Sequence, residues 1–408
     1  MIWGRWQLFD AVAESNVTFY NDDIFPPPIA GVLVKLKRSE CDDNMTTKDS
    51  NQSASCCEPD LHQEVQRYYG EVLASTDDLK TSACCTVVQP ADHVKEALAQ
   101  IHDDVMARYY GCGLALPEAL TGLRVLDLGC GAGRDVYLLS RLVGEQGSVV
   151  GVDMTLAQLD VARRYQDYHR ERFAYSLSNV EFFEGNIEKL DELPLTAGSF
   201  DAVISNCVIN LAIDKAAVLS SAHDLLRDGG ELYFADVYAD RRVPAELTSD
   251  PVLYGECLSG ALYWQDFIAL AREAGFAEPL LVESHTIDIE DPEIAQKTGD
   301  IRFCSATYRL FKLSGAENRP EDYGHQVIYR GGLSEQPELL DFAMDLSFPR
   351  DKAVSVSANI AKMIDASRFS SFFQVIGDNR PHLGSFKGLM YEDPFESIPA
   401  DNFSGGCC

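Results

Sequence analysis

Basic residues are scarce in this chain of 408 residues. Lys and Arg together number 34 against 64 acidic residues, which gives a formal net charge of −30. Nucleic-acid binding depends on Lys and Arg side chains that displace the counterions of the phosphate backbone, and anionic membrane surfaces attract the same side chains. The sequence therefore predicts no nucleic-acid partner and no membrane partner, and it favours a neutral small molecule over an anionic one as substrate.

Long apolar runs are missing as well. No stretch approaches the roughly 18 consecutive apolar residues that a membrane span requires. The first thirty residues lack the pattern of a secretory signal and are too acidic for a transit peptide. The 12 cysteines are too sparse for a disulfide scaffold in a chain of this length. These absences predict a cytoplasmic protein whose thiols stay reduced.

The pattern of apolar residues predicts the organisation of the chain. Residues 1–60 have no consistent period and contain three consecutive prolines, so we expect a disordered or loosely attached extension. From Leu123 onward short apolar strands alternate with longer helical segments, which is typical of a parallel sheet with helices on both faces. Two further strand-like runs, LLVESHTIDI and CSATYRLFKL, would complete a sheet of about seven strands.

The predicted fold class is therefore α/β, with a doubly wound, Rossmann-like sheet. Residues 61–240 are expected to form the cofactor-binding domain, and residues 241–313 are expected to complete the sheet. Residues 314–408, which include the helical pattern SANIAKMIDAS, are expected to form a small C-terminal α+β domain with a loop-rich tail.

A glycine-rich turn carries the prediction of a cofactor site. The motif VLDLGCGAGRD places Asp127 at the end of a strand, with Gly129 and Gly131 in the turn into a helix. Glycine lets the backbone turn sharply and approach a ligand closely. Asp153, at the end of the next strand, is placed to accept hydrogen bonds from ribose hydroxyls.

The spacing within this turn discriminates between cofactors. A dinucleotide site usually has GxGxxG, whereas this chain has GxGxG with acids on both sides, which suits the ammonium group of S-adenosylmethionine better than a pyrophosphate. A nicotinamide cofactor is the alternative. Asn186 and Ile187, after the third strand, would meet the adenine, although a helix cap and a core residue explain them equally well. Met154 directly follows Asp153, and we expect it to bind the cofactor as well.

Four cysteines stand in settings unlike those of a core cysteine. Cys207 comes just past the fourth strand, where a doubly wound sheet binds its ligands. Thiolates select soft acceptors, and their spread over separate loops does not match the paired knuckles of a zinc site. Trivalent arsenic needs two or three sulfurs and keeps a lone pair that can attack a methyl group. Each cysteine alone could still be an inert buried side chain. The four are Cys84, Cys112, Cys207 and Cys257.

Several segments resemble the arsenite methyltransferase family, and the resemblance runs from about Leu61 to the C-terminus. The matching segments are RYYGCGL, DLGCGAGRD, SNCVINL, DGGELYFADVY, YGECLSGALYW and RFCSATYRLFK. The resemblance implies methylation of arsenite by S-adenosylmethionine, to mono-, di- and possibly trimethylated products, for arsenic detoxification. It also implies that residues 241–313 contain an arsenic-binding insertion, and that the protein acts as a monomer.

The resemblance also implies roles for single residues. The sulfurs of Cys207 and Cys257 would bind trivalent arsenic. Cys84 and Cys112 would take part in arsenite binding, with Cys112 as a ligand, and in a disulfide that forms during turnover and is reduced by thioredoxin or glutathione. Tyr110 would lie near the sulfonium of the cofactor. The doublets Cys56-Cys57 and Cys407-Cys408 have no firm role.

Two other functions stay open at this point. The acceptor could be a small organic molecule, in which case the cysteines would not be required. The chain could instead bind a metalloid without turnover. The organic acceptor predicts no requirement for cysteines or added thiols, whereas the metalloid-binding protein predicts that arsenic is retained although the methyl donor does not bind.

Overall fold

The fold is given by a computed structural model that describes residues 90–109, 113–388 and 393–395. The predicted extension at residues 1–60, both outer cysteine doublets, Cys84, Tyr110 and Cys112 lie outside these residues. Predictions made for them stay predictions.

The central sheet is built from eight strands of the described chain: Arg124–Leu128 (β1), Ser148–Asp153 (β2), Val180–Glu184 (β3), Phe200–Asn206 (β4), Leu226–Ala239 (β5), Leu262–Tyr263 (β6), Leu280–Ile287 (β7) and Phe303–Phe311 (β8). Their order is β3-β2-β1-β4-β5-β8-β7, and β1 to β5 run parallel. Strand β8 is antiparallel to both β5 and β7, and the two-residue strand β6 pairs with the end of β5. The predicted α/β fold with its Rossmann-like sheet is confirmed.

Each face of the sheet is covered by helices. Because successive side chains of a strand point to opposite faces, Val203 and Ile204 of β4 enter different cores. Among the described residues no helix has the length and apolar character to cross a membrane. The helices of this region are Asp92–Leu98 (α1), Asp103–Met106 (α2), Arg134–Val143 (α3), Leu156–Arg164 (α4), Gln166–Arg172 (α5), Lys215–Leu225 (α6), Pro251–Gly255 (α7), Trp264–Glu273 (α8) and Pro292–Thr298 (α9), with 3-10 turns at Ile187–Glu192, Ile209–Leu211 and Ala245–Ser249.

The helices divide between the two faces. Buried residues of α6 and α8 pack in the core that contains Val203, whereas α1, α2, α3 and α4 pack in the core that contains Ile204. Strands covered on both sides read as nearly continuous apolar runs, which is why β1 to β5 were recognisable as strands.

The C-terminal part has its own apolar core, built around Val327, Phe342 and Ile364. It forms small antiparallel sheets and one longer helix, which begins at Ala358 inside the predicted SANIAKMIDAS segment and is capped by the Ser357 hydroxyl. Its elements are Glu321–Asp322 (β9), Gln326–Tyr329 (β10), Leu339–Ala343 (β11), Leu346–Pro349 (β12), Ala353–Ser355 (β13), Ala358–Ala366 (α10), Phe373–Ile376 (β14) and Gly384–Ser385 (β15), with a 3-10 turn at Ser370–Phe372.

A buried ionic network links this part to the sheet. Arg309 of β8 donates from Nε to Glu231 of β5 at 2.6 Å and from Nη1 to the carbonyl oxygen of Phe342 at 2.7 Å. Arg368, which follows α10, donates to the other carboxylate oxygen of Glu231 at 2.5 Å. Both side chains of the Arg309–Glu231 pair are fully buried.

Candidate active site

The glycine turn follows β1 at the point where the strand order reverses between β1 and β4. Gly129 has φ of +72°, and a Cβ there would lie 2.4 Å from the side chain of Val208. Gly131 has φ of +51°, and a Cβ there would point into open space. Only glycine fits the first position without displacement, and the second leaves room for a ligand. Ligands of doubly wound sheets bind at this switch point.

Asp153, the last residue of β2, faces the same turn. Its carboxylate accepts hydrogen bonds from the backbone N–H groups of Gly131 and Thr155, both at 2.8 Å. Burial raises the pKa of Asp153, while these backbone N–H groups act to lower it. The carboxylate is therefore fixed in position beside the glycine turn.

A cleft of about 980 Å³, part of it open to solvent, lies over the turn. It brings together all the described residues that the sequence predicted for the cofactor, together with Cys207. The cleft is also lined by residues that the sequence analysis did not predict. Of these, Asn206 could have been found from the sequence, because it stands beside Cys207 at the end of a strand. The predicted residues in the lining are Asp127, Gly129, Gly131, Asp153, Met154, Asn186 and Ile187; the unpredicted ones include Tyr109, Thr155, Gln158, Asn206 and Leu211.

Asp127 provides a test of whether the cleft fits S-adenosylmethionine. Its Oδ2 is buried and has no hydrogen-bond partner among the described residues. Burial raises the pKa of Asp127 well above its ordinary range, and the charges of Asp135 and Asp153 raise it further. A buried polar group without a partner is unfavourable. An ammonium group in the cleft would supply both the missing hydrogen bond and a compensating charge, so these residues fit the methyl donor.

Asn186 and Ile187 serve the protein structure as well as the cleft. The side-chain oxygen of Asn186 accepts a hydrogen bond from the backbone N–H of Glu188 at 2.9 Å and caps the turn that begins at Ile187. Ile187 is buried in one of the two sheet cores. The helix-cap and core interpretations of these residues are therefore correct, and both residues also line the cleft.

Cys207 and Cys257 lie together, although 50 positions separate them in the chain. The Cys257 thiol donates to the carbonyl oxygen of Cys207 at 3.4 Å. The two side chains are buried in one apolar cluster, which also contains Val237 and Tyr254. Cys207 lines the cleft directly, and Cys257 lies next to it.

Both cysteines have left-handed backbone conformations. Cys207 has φ of +56° and Cys257 has φ of +61°. This conformation costs a residue with a Cβ about 1–2 kcal/mol, and glycine usually takes such positions at the ends of helices. Strain of this kind is retained where the surrounding structure requires a particular side chain in a particular place. Strained backbone therefore holds both cysteines at the edge of the cleft, and Cys257 is a free thiol in this structure.

The loop that carries Cys207 is fixed on two sides. Asp236 of β5 accepts a hydrogen bond from the backbone N–H of Asn210 at 3.0 Å, and the hydroxyl of Tyr254 donates to the carbonyl oxygen of Leu211 at 3.0 Å. Burial raises the pKa of Asp236 to about 7, and the backbone N–H groups act to lower it. Because Tyr254 belongs to α7, the segments that carry Cys207 and Cys257 are tied to each other.

The remaining described cysteines lie in structural positions. Cys304 is fully buried on β8, and Cys130 is buried within the glycine turn. Burial raises the pKa of both thiols and disfavours the reactive thiolate. In the described part of the chain, no group of three or more His, Cys, Asp or Glu side chains is arranged to hold a metal ion.

The fold, the glycine turn and the unpartnered carboxylate together define an S-adenosylmethionine-dependent methyltransferase. Residues 120–275 match the model of a methyltransferase domain, and residues 323–408 match the model of the arsenite methyltransferase C-terminal domain. The chain is 51% identical to an arsenite methyltransferase from Aquipseudomonas alcaligenes, over 85% of this chain and 100% of the relative. It therefore belongs to the arsenite methyltransferase family.

Two further relatives agree with this assignment. The human arsenite methyltransferase is 43% identical over 87% of this chain and 98% of its own length. The crystal structure of an arsenic (III) S-adenosylmethionine methyltransferase from Chlamydomonas reinhardtii matches with a TM-score of 0.71 and 47% identity, and the match covers 73% of this chain and all of that chain. The family assignment disfavours the nicotinamide cofactor and the organic acceptor.

Proposed function

We propose that this enzyme methylates trivalent arsenic that is bound by the thiolates of Cys207 and Cys257. The observation that carries the proposal is the contact of the two cysteines at the edge of the cofactor cleft, where both have strained backbone. Thiolate sulfur is a soft ligand that suits a soft acceptor such as trivalent arsenic.

Substrate binding exchanges oxygen for sulfur on arsenic. In the reduced enzyme each thiol forms one As–S bond and displaces one hydroxide of arsenous acid, and the thiol proton leaves with that hydroxide as water. When bound, S-adenosylmethionine supplies an electrophilic methyl group on a sulfonium centre. Cys207, which lines the cleft, then holds arsenic so that its lone pair faces this methyl group, and Asp127 and Asp153 hold the other parts of the donor.

Methyl transfer forms an As–C bond, breaks the C–S bond of the sulfonium and oxidises arsenic to the pentavalent state. Two electrons are then needed to restore trivalent arsenic. We propose that a pair of thiols supplies them by forming a disulfide, with Cys84 and Cys112 as participants, and that thioredoxin or glutathione reduces this disulfide. Repeated cycles would give mono-, di- and possibly trimethylated products. Cys112 would also be the third sulfur ligand of arsenite.

The test is turnover by cysteine variants. Purified protein is given labelled S-adenosylmethionine, a thiol and either arsenite or a monomethylated trivalent arsenical, and the arsenic products are separated. Cys207→Ser and Cys257→Ser are expected to lose methylation of both substrates. Cys84→Ser and Cys112→Ser should mainly lose methylation of arsenite. Cys304→Ala is the matched control, because Cys304 is equally buried but lies on β8.

Normal arsenite turnover by Cys207→Ser would overturn the proposal. Retention of arsenic by a chain that fails to bind the methyl donor would favour the metalloid-binding alternative. Methylation of an organic acceptor that needs no cysteine and no added thiol would favour the other alternative.

We also propose a role in arsenic detoxification by a monomeric cytoplasmic enzyme. Support comes from the acidic composition, the sparse cysteines and the family assignment. Expression in arsenite-sensitive cells tests the role, because the wild-type chain should raise arsenite tolerance and Cys207→Ser should not. Equal tolerance with both chains would contradict it.

A further inference from the structure

Gly260, three residues after Cys257, lies against the backbone of Asn210, three residues after Cys207. A Cβ at Gly260 would be 2.3 Å from the carbonyl oxygen of Asn210 and 3.2 Å from its carbonyl carbon. The obstructing atoms belong to the backbone, so no side-chain rotation could make room for a Cβ. The φ of Gly260 lies outside the left-handed region, and glycine is therefore required by this contact and not by the backbone conformation.

The segment that carries Cys257 meets the same loop at a second point. Tyr254 stands three residues before Cys257, and its hydroxyl donates to the carbonyl oxygen of Leu211 at 3.0 Å. Leu211 directly follows Asn210, whose carbonyl group contacts Gly260. Two adjacent carbonyl groups therefore fix the segment on both sides of Cys257.

Asn210 is in turn fixed to the central sheet. It is buried, and its backbone N–H donates to the carboxylate of Asp236 at 3.0 Å. Its side-chain Nδ2 donates to the carbonyl oxygen of Val237 at 2.5 Å. Both acceptors belong to β5, which lies between β4 and β8. The carbonyl group of Asn210 is thus a rigid stop for the loop that contains Gly260.

We propose that Asn210 and Gly260 are positioning residues that set the distance between the sulfurs of Cys207 and Cys257, so that one arsenic atom bridges them. The inference rests on the proposed function, because it assumes that both cysteines bind arsenic. Arsenicals of different valence distinguish a spacing role from a purely structural one. Each As–S bond replaces one As–OH group, and the thiol proton leaves with that hydroxide as water.

A monomethylated trivalent arsenical has two hydroxyl groups and therefore bridges two sulfurs, whereas a dimethylated one has a single hydroxyl group and binds one sulfur. Attachment of the second sulfur is an intramolecular step, and its advantage depends on whether the geometry lets both sulfurs engage at once. A change in the spacing should therefore weaken the bridging arsenical alone.

The test measures the Kd of both arsenicals for the reduced, full-length protein, with the binding that remains in Cys207→Ser/Cys257→Ser subtracted. Gly260→Ala should raise the Kd of the monomethylated arsenical about tenfold and change that of the dimethylated one less than about twofold. Asn210→Ala, which removes the hydrogen bond to Val237, should act in the same direction. In a Cys257→Ser background Gly260→Ala should have no further effect, because only one sulfur of the pair remains.

Gly147→Ala is the matched control. Its Cβ would lie 2.7 Å from the carbonyl oxygen of Leu123, its φ is likewise outside the left-handed region, and it does not line the cleft. It should lower stability without changing the ratio of the two Kd values. If Gly260→Ala does not fold, Tyr254→Phe tests the same spacing, because it removes only the hydroxyl that donates to Leu211.

An equal rise of both Kd values in these variants, or no change in either, would overturn the inference. Neither result would affect the proposed function. Failure of the proposed function would appear instead as unchanged binding of both arsenicals by Cys207→Ser/Cys257→Ser.

Discussion

Asp127 and Glu231 are acids buried in neighbouring parts of the same sheet, yet their surroundings are opposite. Glu231 receives hydrogen bonds from Arg309 and Arg368. Burial acts to raise its pKa, but the two guanidinium groups outweigh burial and lower the pKa overall. Asp127 has a buried oxygen without a partner among the described residues, and its pKa is raised.

The difference separates an acid that completes the fold from an acid that awaits a ligand. A buried carboxylate with its full set of partners contributes to the native structure itself. A buried carboxylate that lacks a partner and lines a cleft is maintained at a cost to stability, and such groups cluster at functional sites. The contrast locates the cofactor site without reference to any relative.

The largest expected effect is on stability. Arg309→Met should lower the free energy of unfolding by about 3–5 kcal/mol, because it leaves the Glu231 carboxylate buried with one guanidinium instead of two. Chemical denaturation measures this change. The double variant Arg309→Met/Glu231→Gln should recover at most part of the loss, because it removes the buried carboxylate but leaves Arg368 without its carboxylate partner. Identical stability of the single variant and the wild type would contradict a structural role for the network.

A smaller effect is expected on cofactor affinity. Asp127→Asn removes the charge that faces the ammonium group, at a cost of about 1.5–3 kcal/mol, so the Kd for S-adenosylmethionine should rise about 10- to 100-fold. Titration calorimetry measures this constant. The ligand-free variant should be at least as stable as the wild type, because Asp135 and Asp153 lose a neighbouring like charge. An unchanged Kd would show that Asp127 does not contact the ammonium group.

The smallest effect is a pH dependence of cofactor binding. The pKa of Asp127 is raised in the free protein, and a bound ammonium group would lower it. Between these two pKa values the complex holds fewer protons than the free protein, so binding releases protons and affinity rises with pH, by at most about tenfold per pH unit. Calorimetry in buffers of different ionisation enthalpy detects this release, and it should vanish in Asp127→Asn.

For Glu231 the pH dependence concerns the stability of the fold and not cofactor binding. Because its folded-state pKa is lowered, the stability it contributes is present above its ordinary pKa of about 4.3 and is lost as pH falls through the lowered value. Acid unfolding of Glu231→Gln should therefore depend less on pH than acid unfolding of the wild type. If acid unfolding of Glu231→Gln and of the wild type depended equally on pH, the lowered pKa of Glu231 would be contradicted.

Much of the fold could be predicted from the sequence, since the apolar runs of β1 to β5 and the helices between them carry a strong local pattern. The antiparallel placement of β8 beside β5 could not, because it depends on pairing between distant segments such as Glu231 with Phe311. Strand β6 was missed because two residues carry no periodic signal.

The candidate site, like the fold, could be predicted from the sequence only in part. The glycine turn and Asp153 have local signatures, and the position of Cys207 followed from the topology of the sheet. The left-handed backbone at both cysteines, the contact between Cys257 and Cys207, and the hydrogen bonds of Asn206 all depend on tertiary structure. The Glu231–Arg309 pair joins residues 78 positions apart, and nothing near either residue indicates its partner.

X-ray absorption spectroscopy of arsenite bound to the purified protein tests the central claim most directly, since it counts the sulfur neighbours of arsenic. Two or three As–S bonds are expected in the wild type and in Cys304→Ala, with one fewer in Cys207→Ser and in Cys257→Ser. The same sulfur count in the wild type and in both serine variants would contradict arsenic binding by this pair of cysteines.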